Sequence, residues 1–113
     1  MVDPKDCYVA EAIEHGRCTD SGDYKRGNAA YDRMKAALSE LRGRADRGES
    51  VLRELLDHPN GWVRLDAATH LLPLCAELAI QALEELASGP QSQVEFGAMM
   101  VLQEWRAGRL NVP

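Results

Sequence analysis

Apolar residues recur at helical spacing along nearly the whole chain, and short breaker segments cut them into six runs. Asp3-Pro4 places a capping acid before a proline suited to a first helical turn, predicting a helix from about Pro4 to about Cys18. Its expected buried side is Val9, Ala12, Ile13 and Gly16. "TDSGD", residues 19–23, is rich in turn and capping residues. A longer helix is expected from about Asp23 to Arg44, with Tyr31, Met34, Leu38 and Leu41 as its seam. Gly43 and Gly48 bracket the next connection, and Ser50 is the candidate cap of a third helix carrying Val51, Leu52, Leu55 and Leu56. His58-Pro59-Asn60-Gly61 then forces a corner. Beyond it Val63, Ala67, Ala68, Leu71 and Leu72 resume the period in a fourth helix, from about Trp62 to Leu72, which Pro73 disturbs. Leu78, Ala79, Ala82, Leu83 and Leu86 define a fifth, ended by Ser88-Gly89-Pro90. The sixth carries Val94, Ala98, Met99, Leu102 and Trp105 and stops before Gly108. No stretch alternates long enough to read as a strand, so the predicted class is all-α.

The corner repeats. A shift of 31 residues carries Leu52 onto Leu83, Leu55 onto Leu86 and Pro59 onto Pro90. It also carries Val63 onto Val94, Ala67 onto Ala98, Ala68 onto Met99 and Leu71 onto Leu102. A helical pair of this length cannot bury its apolar side alone, and stacking of successive pairs completes the core. The proline corner folds one helix back on the next, and the small Ala67-Ala68 pair lets backbones approach.

"LRELLDHPNGWVRLDAATHL" resembles a HEAT-like repeat: leucines, a proline corner, "VR", then "AA". The second copy departs from that pattern, with Glu95 in place of Arg64 and Ser88 in place of Asp57, which interrupts the Asp–Arg ladder such arrays often carry. The resemblance is good over Ser50 to Arg106 and implies architecture, not activity. It implies a short right-handed α-α superhelix of about three hairpins. Residues 1–47 would form a divergent first hairpin, and 48–75 and 76–108 the repeat hairpins of one domain spanning 1–113. Through "GDYKRGNAAYDRM", "LLDHPNGWVRLDAATHLL" and "LQEWRAGRL" the chain also resembles a small bacterial family of HEAT-like single-domain proteins of unknown function.

Charge narrows the function classes. With 18 acidic and 13 basic side chains the formal charge is −5, which argues against general nucleic-acid binding and suits a basic partner. No apolar run reaches membrane-span length, and "MVDPKDC" lacks the pattern of a secretory signal. Cys7, Cys18 and Cys75 are odd in number and unpatterned, consistent with a reduced cytoplasmic setting.

Candidate chemistry is sparse. Cys7, Glu11, His15 and Cys18 form one stripe of the first helix and are suitable zinc ligand types. A straight helix spreads them over about 16 Å, too far for one ion. At most His15 and Cys18 could share a metal with ligands from elsewhere, and a solvated or partly packed helix side is the simpler reading. No glycine-rich phosphate loop, HExxH pair or nucleophile with an oriented base is present, so no catalytic residue, cofactor or metal is assigned.

A surface is the stronger signal. Second helices of successive hairpins usually line one side of such a stack, often the binding side. Trp62, Asp66, Thr69 and His70 are expected to face outward on the fourth helix, with Gln93, Met100 and Glu104 beside them on the sixth. Trp62 is open to two readings, an anchor for a partner or a staple over the corner. These residues make protein–protein recognition the expected function, with a non-enzymatic monomer or homodimer as the binding unit. Its size and acidity suggest an immunity- or antitoxin-like role by analogy. A metal- or small-ligand-binding protein, or a self-associating subunit, is the alternative.

Overall fold

The computed structural model describes residues 3–90 and 92–113, so the first two positions of "MVDPKDC" lie outside it. Six helices and no strand occur among these residues: α1 (Pro4–Ser21), α2 (Tyr24–Arg42), α3 (Glu49–Leu55), α4 (Gly61–Leu71), α5 (Ala76–Ala87) and α6 (Gln93–Arg106). The chain divides into two compact units, Met1–Val51 and Leu52–Pro113.

In the first unit α1 packs along α2. The Asp3 side chain accepts the Lys5 amide at 2.8 Å, and Pro4 occupies the first turn, as the sequence predicts. α1 runs three residues beyond its expected end and stops at Gly22, whose positive φ of 81° closes the helix. Asp23 then caps α2 by accepting the Arg26 amide. The α2 seam is buried at Met34, Leu38 and Leu41, extended by Gly27, Ala30 and Ala37. The α1 side is rotated from expectation. Tyr8, Ala12, Gly16 and Cys18 are buried, while Ile13 is 37% exposed. The reason is a close approach: a Cβ on Gly27 would lie 3.2 Å from Cys18 Cβ, so α2 meets α1 at Cys18.

α3 is capped by Asp46 and not by Ser50. The Asp46 carboxylate accepts the Gly48 amide at 2.9 Å and the Ser50 amide at 3.0 Å, and α3 starts at Glu49. Contact with Ser50 and with these amides holds the Asp46 carboxyl below its ordinary range.

The second unit answers why the chain turns sharply at Pro59. Asn60 accepts the Trp62 and Val63 amides and caps α4. The Asn60 amide donates to His58 Nδ1 at 3.0 Å, so the His58 side chain helps to hold the turn. The Arg64 guanidinium donates to the carbonyls of His58 and Pro59 at 2.8 and 3.1 Å. The arginine of the "VR" pair thereby ties the corner to the helix that follows it.

α5 packs on both α4 and α6, and α4 also meets α6. A Cβ on Gly61 would touch Val94 at 3.4 Å, and one on Gly97 would lie 2.8 Å from Leu65 Cδ2. Contact positions advance together, 61 to 65 on one helix and 94 to 97 on the other, so α4 and α6 run side by side in the same direction. α4 is enclosed around most of its circumference: Val63, Leu65, Ala67, Ala68, His70 and Leu71 are all buried. α6 buries only Ala98 and Leu102, and Met99, expected on the buried side at the position equivalent to Ala68, is 52% exposed.

Ala67 is fully buried. Ala67→Leu adds three carbons where no space exists and is expected to lower stability by roughly 1–3 kcal/mol in urea unfolding. An unchanged unfolding midpoint would mean that the packing around α4 yields freely.

Candidate functional site

Residues expected on one outward stripe of α4 do not stay outside. His70 is only 3% exposed. Asp66 keeps a partly accessible edge, but its Oδ2 is sealed from solvent without a hydrogen-bond partner. Burial pushes the Asp66 carboxyl up to about 7. The expectation that both face solvent is therefore corrected: α4 has packed neighbours on nearly every side, so a polar residue anywhere on it tends to be enclosed. Trp62 is half-buried in the first turn, which favours the corner-staple position over a free anchor. Thr69 spends its hydroxyl on the Leu65 carbonyl at 2.8 Å.

The stripe on α1 is taken up in separate contacts. Glu11 pairs with Arg33, and the Cys18 thiol donates to Glu14 at 3.6 Å. Burial first, and then the Glu14 contact, raise the Cys18 thiol above its ordinary value. The His15 ring lies 5.3 Å from that of Tyr31, and burial lowers its pKa. Among the described residues no three His, Cys, Asp or Glu side chains are grouped to hold an ion. A polar groove of about 490 Å³ runs between Ala10, Glu11, Glu14, Arg26, Ala29 and Arg33. Its acids are already engaged by Arg33, Arg17 and Arg26, so its charge is largely satisfied internally.

The accessible part of the predicted surface lies on α6. Gln93 is exposed and Met100 is 41% exposed. Glu104 is half-buried and held by Arg109 through two hydrogen bonds at 2.9 and 3.1 Å. Phe96 and Met99, neither of which sequence reasoning assigned to the site, stand beside them with 60% and 52% of their surface open. Phe96, Met99 and Met100 are spaced i, i+3 and i+4, so their side chains project together. The signal was present in the sequence: these three apolar residues fall off the Val94–Ala98–Leu102 seam, giving one helix two apolar sides.

Two clefts lie in the second unit, the first of them beside this surface. One, about 260 Å³, lies between Ser92, Glu95, Phe96 and Met99. Within it Ser92 accepts the Glu95 amide, while Glu95 Oε2 is buried without a hydrogen-bond partner among the described residues. The other, about 280 Å³, is bounded by Leu56, Arg64, Ala82, Glu85 and Leu86 at the base of the corner.

The displaced carboxyl of Asp66 has a measurable consequence. In the unfolded chain it ionises near 3.8, whereas in the folded chain it stays protonated to about 7. Between those values the folded state binds the extra proton, so this group makes stability fall as pH rises and adds nothing further above pH 7. The full difference is on the order of 4 kcal/mol. Asp66→Asn is expected to remove that fall, and the gap between variant and parent should open from pH 4 to pH 7. Unfolding curves across this range test it. Parallel pH profiles would show that the Asp66 carboxyl is solvated.

Comparison with known proteins adds a family and a fold. Comparison with curated proteins finds no match. The crystal structure of the protein RPA1889 from Rhodopseudomonas palustris CGA009 is similar with a TM-score of 0.88, covering 98% of this chain and 92% of that one. At 23% sequence identity the likeness is one of fold. No helix among the described residues is long and apolar enough to cross a membrane. Residues 7–105 match the family described as a domain of unknown function, DUF2019, and the chain belongs to that family.

Proposed function

We propose that this protein is a recognition module that binds a protein partner through the outer side of α6. The observation that carries the reading is the exposure of Phe96, Met99 and Met100 together on one side of that helix. Single exposed apolar residues are ordinary on a protein surface, but a contiguous group marks an interaction site. Covering the open parts of three such side chains is worth roughly 2–4 kcal/mol. That is enough to matter in binding and too much to leave in water without a use.

We read residues 52–113 as HEAT-like units in which α4 and α6 are equivalent second helices. Their parallel course and the 31-residue shift support this. Units of such a stack cover one another's apolar sides. The apolar side of α6 at Phe96, Met99 and Met100 is left open by the described residues, which fits a partner packing there as a neighbouring unit would. The net charge of −5 favours a basic partner and faster encounter with it. In this reading the protein is not an enzyme, and an immunity- or antitoxin-like role, covering a basic protein, is the version that size and charge favour.

Affinity capture from lysate of the native cell, using the full chain, tests the reading. The intact protein is expected to retain a saturable protein partner, and Phe96→Glu/Met99→Glu to lose at least tenfold in its retention, about 1.4 kcal/mol. Both replacements sit on solvent-facing positions, so the circular dichroism melt should hardly move. Absence of any saturable partner, or equal capture by the variant, would overturn it.

A further inference from the structure

We infer that the cleft beside Phe96 is the subsite for an arginine side chain of the partner, with the Glu95 carboxylate as its counter-ion. The inference rests on the recognition reading above and specifies its chemistry. Three observations meet in one place. Glu95 lines a cleft of about 260 Å³ together with Ser92, Phe96 and Met99. One oxygen of its carboxylate is buried with no hydrogen-bond donor among the described residues. The adjoining ring of Phe96 and thioether of Met99 are more than half open.

A carboxylate oxygen removed from water and given no donor is costly, and a cation that supplies donors relieves that cost. Several other acids are already served: Glu11 by Arg33, Glu14 by Arg17, Glu84 by Arg106 and Glu104 by Arg109. The Glu95 backbone amide donates to Ser92, while among the described residues no donor reaches its Oε2. Its terminal torsion is soft, so the carboxylate can turn toward the cleft mouth without disturbing α6.

The neighbours select the kind of cation. A guanidinium is planar, stacks on an aromatic ring and offers paired donors that match a carboxylate. Phe96 supplies the ring, and Met99 supplies a polarizable wall for the aliphatic stem. Lysine would satisfy the charge but not the stacking. The outer row of α6 carries no acid from Phe96 to Gln103, so Glu95 is the negative group that an apolar partner surface with one embedded arginine would meet. Charge complementarity with a chain of net −5 points the same way.

The test uses the full chain and a defined probe, the capped tripeptide acetyl-Leu-Arg-Leu-amide, followed by amide and methionine-methyl NMR shifts. The expected result is saturable perturbation centred on Ser92, Glu95, Phe96 and Met99, weakened at least tenfold by Glu95→Gln and by replacement of the probe's arginine with glutamine. Glutamine serves the first turn of a helix behind a serine cap nearly as well as glutamate, so the variant should fold. No saturable perturbation, or equal binding to Glu95→Gln, would overturn the inference. So would concentration-dependent dimerisation that Met99→Glu abolishes, because a second copy would then be the occupant. Failures are separable. If Glu95→Gln keeps a captured partner that Phe96→Glu/Met99→Glu loses, the arginine subsite is wrong and the recognition reading stands. If neither variant alters capture, both fail.

Discussion

The second unit depends on how closely α4 and α6 approach. A carbon added to Gly97 would force the Leu65 side chain to shift, Gly61 faces Val94, and Ala67, Ala68 and Ala98 are fully buried. Small residues at these positions bring two helical backbones together, and dispersion across that contact is what a larger side chain would forfeit. Glycine in a helix interior costs about 1 kcal/mol of propensity against alanine, so Gly97 is retained for the packing that it allows. The corner serves the same end. Asn60 satisfies the first amides of α4 while Arg64 grips the carbonyls behind it, so α4 starts at a defined place.

Close packing makes α4 the enclosed helix of the unit and leaves α6 with an unshared side. The two consequences have opposite signs. On α4, Asp66 is held in a setting that favours its neutral form, a cost that grows as pH approaches 7. On α6, Phe96 and Met99 remain open where Leu65 and Ala68, 31 residues earlier on α4, are buried, and Met100 is open as well. A chain that tolerates a strained carboxyl inside and an apolar group outside is not optimised for solubility and stability alone. The apolar group is the feature that a partner would resolve.

The comparison between Met99 and Ala68 shows how repeat reasoning works and where it stops. The 31-residue shift pairs Ala67 with Ala98 and Leu71 with Leu102, all four buried, and pairs buried Val63 with half-buried Val94. It aligns buried Ala68 with Met99, which is half open. Equivalent positions share an orientation on their own helix but not the neighbours beyond it. Asp66 and His70 fail for the mirror-image reason: a polar type at an outward position of an isolated helix is enclosed once other helices surround it.

The amino-acid sequence by itself determined the six helices, the cap at Asp3, the proline corner and the all-α class. Those features rest on a period of 3.6 residues and on hydrogen bonds between side chains and amides two or three residues away, all of which are local. It also contained the two apolar sides of α6, although Met99 read as part of the Val94–Ala98–Leu102 seam and Phe96 was assigned to neither side. Tertiary structure alone decided that α1 buries Tyr8 and Cys18 while Ile13 stays open, because Gly27 sets where α2 touches it. It likewise decided that Asp66 Oδ2 is sealed and that Phe96, Met99 and Met100 form the accessible surface. Burial depends on how many neighbours a helix acquires and on which sides, and that number is written in no single segment of the chain.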